Sequence, residues 1–540
     1  MRLGNFLVFK INLRIKFVKN QMDMKVKLIL LVLIALFYSC SSDDNNNDDS
    51  GNGNNNTFEI TFQNSSFSGS VLVTYTDGTS QTGQFENGKC NLPKTESGNK
   101  TIASLQPQNQ NIILIGRKEG TPINLNYNNG TLLHRVAVGG FVPIGSYAEF
   151  QLINSNSTTL SNSYKMETDL DFMNLNWTPI GNTDVFLGNF NGANFKIENL
   201  KVTETHASAL FNMVSNSTIS NITVKTGTIK TTAVQYGAAA GLVVSASTNV
   251  IIDNCVNYAS IESNGRVAGI VVAGANVTNC INYGNLKTNG SGIGGVALFA
   301  SILNNCHNYG ELISNNNIGD SSGGVVGECF EISNSSNFGN IVSTGNGTGN
   351  PYYVGGVAGK VNTTIKGCFN RANITSSGIA GGIIGSNQID IISIENCYNI
   401  GNITTTSYAG GGIAGILLAY QQITNLKNCY NTGGITSNSQ TGGLVGRIVQ
   451  VNQNNLSITN NYWRDLTSDN ANYAIGYLET ANSGVVGIPS NIGCSIFSTI
   501  SWPSASQGWN IGNGTNNAYW KTLGSWNNGN PTYPKLWFEE

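Results

Sequence analysis

The sequence predicts an all-β protein whose body is a right-handed parallel β-helix, with a small β-sandwich-like domain before it and a tryptophan-rich C-terminal cap after it. Three observations carry that expectation. An asparagine–cysteine phrase recurs through the middle of the chain. The spacers between its copies are short β-branched runs with no 3.6-residue apolar stripe. Glycine is abundant (64 residues) while proline is scarce (10), so the chain turns often and its strands stay intact. Composition also excludes partners. Only 11% of the 540 residues are charged and the net charge is −2, against about 25% charged in ordinary soluble domains. Such a chain has no basic field to neutralise phosphates, so nucleic acid is not expected as a partner. His134, His206 and His307 lie far apart and no Cys-x-x-Cys occurs. No metal site and no cofactor are therefore expected.

The N-terminal segment, 1–39, has the form of a signal peptide. Met24-Lys25-Val26-Lys27 is a basic start, an apolar run extends from Leu28 to Tyr38, and Ser39-Cys40 follows. The run is shorter than the about 20 apolar residues that span a bilayer. Residues 1–23 look like an over-extended start, with Met24 the alternative beginning. Leu36-Phe37-Tyr38-Ser39-Cys40 resembles the bacterial lipoprotein cleavage box, which implies lipidation of Cys40. The plainer alternative is a cleaved signal that leaves Cys40 an ordinary thiol. Ser41-Ser42-Asp43-Asp44-Asn45 resembles the surface-export tag of Bacteroidota lipoproteins. Segment 41–56 holds only Ser, Asp, Asn and Gly, so 40–56 is expected to be a lipidated cysteine and a flexible tether.

From 57 to 138 the pattern changes to short alternating strands, Phe58–Phe62 and Val71–Tyr75. The second runs into the hairpin signal Thr76-Asp77-Gly78, and β-prone runs follow at Asn111–Ile115 and Ile123–Tyr127. This is the small β domain.

The β-helix is assigned to 139–480 on its repeats. The phrase appears as Asn254-Cys255-Val256-Asn257-Tyr258, Asn279-Cys280-Ile281-Asn282-Tyr283 and Asn305-Cys306-His307-Asn308-Tyr309. It returns as Asn334-Ser335-Ser336-Asn337-Phe338, Gly367-Cys368-Phe369-Asn370, Asn396-Cys397-Tyr398-Asn399 and Asn428-Cys429-Tyr430-Asn431, and ends at Asn460-Asn461-Tyr462. The marker positions 255, 280, 306, 335, 368, 397, 429 and 461 are separated by 25, 26, 29, 33, 29, 32 and 32 residues. Between them sits Gly-Gly-apolar-apolar-Gly, as at 355–359 and 411–415. A variable period of this length fits one solenoid coil with several strands per turn. Coils about 4.8 Å apart make ten of them a rod on the order of 50 Å long.

Trp177-Thr178-Pro179-Ile180-Gly181, Phe186-Leu187-Gly188-Asn189-Phe190-Asn191-Gly192 and Ile197-Glu198-Asn199-Leu200 resemble the first coil of GLUG-motif proteins. The glycine and Asn-Cys phrases from 238 to 446 are similar to the same family, and the likeness covers roughly 140–480. Ala209-Leu210-Phe211-Asn212 stands where that family often has Gly-Leu-Phe-Gly, a departure that implies a degenerate coil. The resemblance implies an adhesin-like β-helical surface lipoprotein of Bacteroidota, anchored in the outer membrane and facing outward. The motif also occurs beside some bacterial immunoglobulin-A peptidases. Nothing in this chain resembles a peptidase domain, so that association does not carry over.

Segment 481–540 gathers Trp502, Trp509, Trp520, Trp526 and Trp537. A solenoid end needs its apolar core covered, so capping is the simpler expectation and a carbohydrate platform the sharper one. Six of the ten cysteines share one repeat register, where Ser335 also fits, which favours a reduced thiol ladder in the core over disulfides. Cys90, Cys329 and Cys494 fall outside that register on sequence grounds. The asparagines two places later share the cysteines' parity and are expected to stack inside. The aromatics have the opposite parity: Tyr258, Tyr283, Tyr309 and Phe338 at the third place, then Phe369, Tyr398, Tyr430 and Tyr462 at the first. They predict an external stripe, either a surface for glycan rings or protein ligands or simply rings packing on rings.

No catalytic residue stands out. Glu328 and Glu331 are the nearest pair of glutamates within the repeats and are expected to be solvated loop charges. The expected function is adhesion or binding of a glycan or a host or surface protein. The alternatives are a polysaccharide lyase or hydrolase of β-helical form, and a structural spacer.

Overall fold

The computed structural model describes residues 141–540, apart from short loops and isolated residues, and the strands lying between 57 and 135. The signal segment, Cys40, the tether and the runs Asn111–Ile115 and Ile123–Tyr127 lie outside the described residues. Among the described residues no helix is long and apolar enough to cross a membrane.

Before the rod, Gly69–Tyr75 pairs antiparallel with Ser80–Phe85, Thr74 opposite Ser80, the pairing expected of a hairpin. Ile102–Pro107 pairs on the other edge and is itself followed by His134–Arg135. Val71, Val73 and Phe85 are buried on that sheet.

The body is a parallel β-helix in which each coil contributes strands to four faces. One coil runs Ser322–Gly323, Val326–Ser333, Ser336–Asn337 and Ile341–Ser343. Its successor runs Tyr353–Gly355, Ala358–Lys366, Phe369–Asn370 and Ile374–Ser376. The two are in parallel register, with Val326 beside Ala358, Ser336 beside Phe369 and Ile341 beside Ile374. Short strands of two or three residues form a 12-stranded sheet from Leu170–Asp171 to Cys494–Ile496. At the start of the rod, Ser146 caps the helix Tyr147–Leu152 by accepting from the Glu149 amide at 3.2 Å. Phe150 of that helix packs edge-on against Phe172 and Trp177 at 5.4 and 5.3 Å.

Both repeat phrases have a physical cause. The residue before each marker turns the corner in the left-handed region, with φ between 51° and 60° at Asn254, Asn279, Asn305, Asn334, Asn396, Asn428, Asn460 and Gly367. Asparagine and glycine reach that conformation at least cost. The marker side chain then points inward: Cys255, Cys280, Cys306, Cys368, Cys397 and Cys429 are buried free thiols, and so is the Ser335 hydroxyl. Burial pushes the Cys306 thiol up to about 12, far from the thiolate form. One expectation needs correcting. Cys494 lies in the marker register after all, paired with Asn461 one coil beyond. The step of 33 residues from Asn461 to Cys494 lies within the period, but Ile496 stands where the phrase has asparagine, which hides this copy in the sequence.

The asparagines two places on form a continuous internal ladder. Each side-chain amide donates to the next carbonyl, from Asn257 through Asn282, Asn308, Asn337, Asn370 and Asn399 to Asn431, at 2.8–2.9 Å. The same amides also donate to the backbone two residues ahead, as Asn399 does to the Gly401 carbonyl at 2.8 Å. The ladder explains the second glycine of the Gly-Gly phrase. A Cβ on Gly382 would collide with the Asn399 side chain and the Gly412 carbonyl, and Gly356 stands in the same relation to Asn370. Beyond Asn431 the register passes to Trp463, which is buried and closes the ladder.

The tryptophan-rich segment does cover apolar surface, and the surface it covers is the flank of the rod. Cys494–Ile496 adds one more rung, after which the chain runs back alongside earlier coils. Trp520 donates its indole N–H to Asn396 Oδ1 at 3.1 Å and Trp537 donates its own to Asn334 Oδ1 at 3.2 Å. Asn428 donates to the Gly508 carbonyl at 2.8 Å, and Tyr519 sits where Gly367 lacks a side chain. The left-handed corner is thus also the docking line for this strap.

Candidate binding site

The aromatic stripe consists of two neighbouring columns on the 12-stranded face. The first place after each marker holds Val256, Ile281, His307, Ser336, Phe369, Tyr398, Tyr430 and Tyr462 in turn. The third place holds Tyr258, Tyr283, Tyr309 and Phe338 and then changes to Arg371 and Ile400. The rings therefore change columns between Phe338 and Phe369, which meet edge-on at 5.4 Å.

The two halves have different fates. Tyr258, Tyr283 and Tyr309 are 37%, 39% and 42% exposed. Phe369, Tyr398, Tyr430 and Tyr462 are buried under the strap, in one cluster with Phe497, Trp509, Trp520 and Leu536. The sequence placed all eight rings on one outer stripe, and the covered four are closed to any ligand. Trp509 and Trp520 are fully buried too, stacked at 4.6 Å, so they offer no platform for sugars.

Even the open rings do not present their faces. Tyr258, Tyr283, Tyr309 and Phe338 stack on one another at 4.6–4.8 Å with planes within 14°. Lys225 covers the outer face of Tyr258, its Nζ 4.2 Å from the ring centroid. At the other end Arg371 lies over Phe338 at 5.7 Å and Phe369 at 5.1 Å. What faces outward is a row of ring edges beside the half-buried Val256 and Ile281. Face-on stacking of sugars, which the parity argument allowed, has no free face to use here.

A cleft of about 370 Å3 opens where the stripe meets the strap, lined by His307, Tyr309, Phe338, Phe369, Arg371 and Phe538 among others. Arg371 is ion-paired with Glu539, whose carboxylate also accepts from the Tyr398 hydroxyl at 2.6 Å and the Leu536 amide at 2.5 Å. Burial, with that carboxylate adjoining, pushes the Tyr398 phenol well above its usual range. Tyr430 likewise donates to the Pro534 carbonyl at 2.6 Å.

His307, Ser336 and Asn305 form a chain that invites a catalytic reading. His307 Nε2 donates to Asn305 Oδ1 at 3.0 Å, which leaves Nδ1 to accept from the Ser336 hydroxyl at 2.7 Å. Ser336 is only 1% exposed and cannot meet a substrate carbonyl. Burial lowers the His307 pKa to about 4, which makes it a poor base. The group is a satisfied polar plug. It has a consequence for stability. An imidazole of pKa about 6.5 in the unfolded chain and about 4 when folded takes up its proton on unfolding first. Its contribution is complete above pH 6.5 and is lost as pH falls toward 4, on the order of 3 kcal/mol. Replacing His307 with Ile, the residue one coil earlier, should flatten that part of the urea-stability profile between pH 7 and 4. An unchanged profile would count against a neutral, buried imidazole.

Glu328 and Glu331 are strand residues within Val326–Ser333 and not loop charges. Glu331 and the intervening Phe330 are exposed, while Glu328 is half-buried between Phe299 and Lys360 of the adjoining coils.

No known family model matches the chain. No curated protein matches it either. Among solved structures, an IgA1 protease is similar over 69% of this chain and 29% of its own, at 14% identity and a TM-score of 0.33. A putative immunoglobulin A1 protease from Bacteroides ovatus is similar over 74% of this chain and 93% of its own, at 16% identity and a TM-score of 0.25. This chain spans less than a third of the first, and neither likeness bears on what it does.

Proposed function

We propose that the chain is a surface-displayed binding scaffold of the GLUG type, anchored through Cys40, whose ligand lies along the open flank at Tyr258, Tyr283 and Tyr309. One observation carries this reading. Three large rings of the third-place column stay open in successive coils, whereas the four rings of the neighbouring first-place column are buried by the chain's own strap. An apolar stripe kept open beside one that is covered marks a contact surface. The flank between the rings and the corner is nearly uncharged, which suits a neutral protein or glycan. A catalytic reading has no comparable support, because among the described residues the acids of the repeats do not converge on a cleft with the rings.

The test is a Tyr283→Ser, Tyr309→Ser double variant, presented beside wild type to arrays of host-matrix proteins and of glycans. Tyrosine anchors at the centre of an interface often contribute enough that their loss weakens binding about tenfold or more. The expected result is that loss, with the circular dichroism of the rod retained. Array binding equal to wild type would overturn the assignment of the site, and binding by neither protein would leave the spacer reading ahead.

A further inference from the structure

We infer that the cleft at the end of the tyrosine row is an anchor pocket for an aromatic side chain of a protein ligand, presented on an extended segment that continues the line of the strap. This rests on the binding role proposed above and names the class of partner. The first-place column stacks Phe369 on Tyr398 and Tyr398 on Tyr430 at 5.0 and 4.7 Å. At Ser336 the column lacks a ring. Phe538, carried by the strap, takes up the vacancy: its ring centre is 5.8 Å from that of His307 and 5.7 Å from that of Phe369. The molecule itself therefore shows what this surface accepts, an aromatic ring delivered from outside by an extended polypeptide.

Phe538 does not fill the space. About 370 Å3 stays open beside it, toward Tyr309 and the uncovered coils. That volume lies at the small end of ordinary ligand pockets, about 300–1,000 Å3, and buried aromatic anchors dominate protein interfaces. From the cleft outward, Tyr283, Tyr258, Ile281 and Val256 continue the surface that the strap covers farther along, so a second segment meets an interface of the same kind. Charge argues against an acidic sugar or an acidic peptide. Arg371 is already neutralised by Glu539, and Glu540 adds a further carboxylate to the rim. Neutral sugars lack a free ring face on which to stack.

The experiment pans a random dodecapeptide display library on the purified protein and measures the enriched peptides by fluorescence anisotropy. Three variants are compared with wild type: Tyr283→Ser with Tyr309→Ser, Ser336→Phe and Glu328→Gln. Ser336→Phe adds a ring to the cleft wall beside Phe538, and its melting temperature and tryptophan fluorescence are measured alongside to show that it folds with the strap docked. The expected result is enrichment of uncharged peptides bearing Trp, Phe or Tyr, with affinity reduced about tenfold by Ser336→Phe and by the tyrosine pair and unchanged by Glu328→Gln. Peptides without aromatic residues, or aromatic peptides that bind a folded Ser336→Phe protein as tightly as wild type, overturn the inference. If glycan-array binding depends on the tyrosine pair while no peptide does, the inference fails and the binding role stands. If nothing depends on the tyrosine pair, both fail. Self-association of the rods that is lost with the same tyrosines assigns the face to a second copy and also overturns it.

Discussion

Replacing Asn399 with alanine is expected to destabilise the rod by about 3–6 kcal/mol, far more than its modest volume would indicate. Asn399 accepts from Asn370 and donates to Asn431 and to the Gly401 carbonyl, each at 2.8 Å, with no exposed surface. Truncation leaves an amide proton of Asn370 and the Gly401 carbonyl buried without these partners, and each orphaned group costs about 1–3 kcal/mol. A void is added where the side chain stood. Coils contact only their neighbours, so the damage should appear as early unfolding around this coil and not as uniform weakening. Urea denaturation with hydrogen exchange checks both, against Thr404→Ala, an exposed position on the next strand, which should shift stability by no more than about 0.5 kcal/mol. Equal effects from the two substitutions would mean that the ladder contributes nothing beyond solvation.

The second large effect concerns the strap. Arg371→Met removes the cation that faces the buried Glu539 carboxylate, leaving the Tyr398 hydroxyl and the Leu536 amide to hold it. Losing one partner of a buried pair costs about 3–5 kcal/mol, and the partial exposure of Arg371 places the expectation near the lower end. The strap should loosen while the rod persists, seen as a red shift of Trp509 and Trp520 fluorescence and as new proteolytic cleavage between 519 and 540. The Arg371→Met, Glu539→Gln double variant should recover much of the docking, because no charge is then left buried and the side-chain amide oxygen can still accept from a buried donor. A single variant as resistant as wild type would show that the rings alone hold the strap.

Much of this was legible in the residues. The period of the Asn-Cys phrase predicts the coil, and strand parity places cysteines and asparagines inside because successive side chains leave opposite faces. Parity does not distinguish two positions on the same face. For that reason parity predicts one external stripe from both places, although the change from Phe338 at the third place to Phe369 at the first, with Arg371 taking over the vacated position, is visible in the sequence. Parity is equally silent on ring orientation. At a coil spacing of about 4.8 Å identical aromatics stack face to face along the axis, which turns their edges outward. The destination of the strap was not legible, since an uncovered end and an uncovered flank make the same demand for tryptophan. The glycine of the Gly-Gly phrase, opposite the ladder, was hidden for a related reason: Gly382 and Asn399 lie 17 residues apart on separate segments of one coil and meet only when that coil closes.

The central claim is that one half of the aromatic ladder is open and the other half closed by the chain itself. Hydroxyl-radical footprinting of the intact protein, read residue by residue by mass spectrometry, tests it most directly. Tyr258, Tyr283 and Tyr309 should oxidise readily, while Tyr398, Tyr430 and Tyr462 stay protected until the protein is denatured. Comparable oxidation of all six tyrosines, or protection of the first three, would contradict the account.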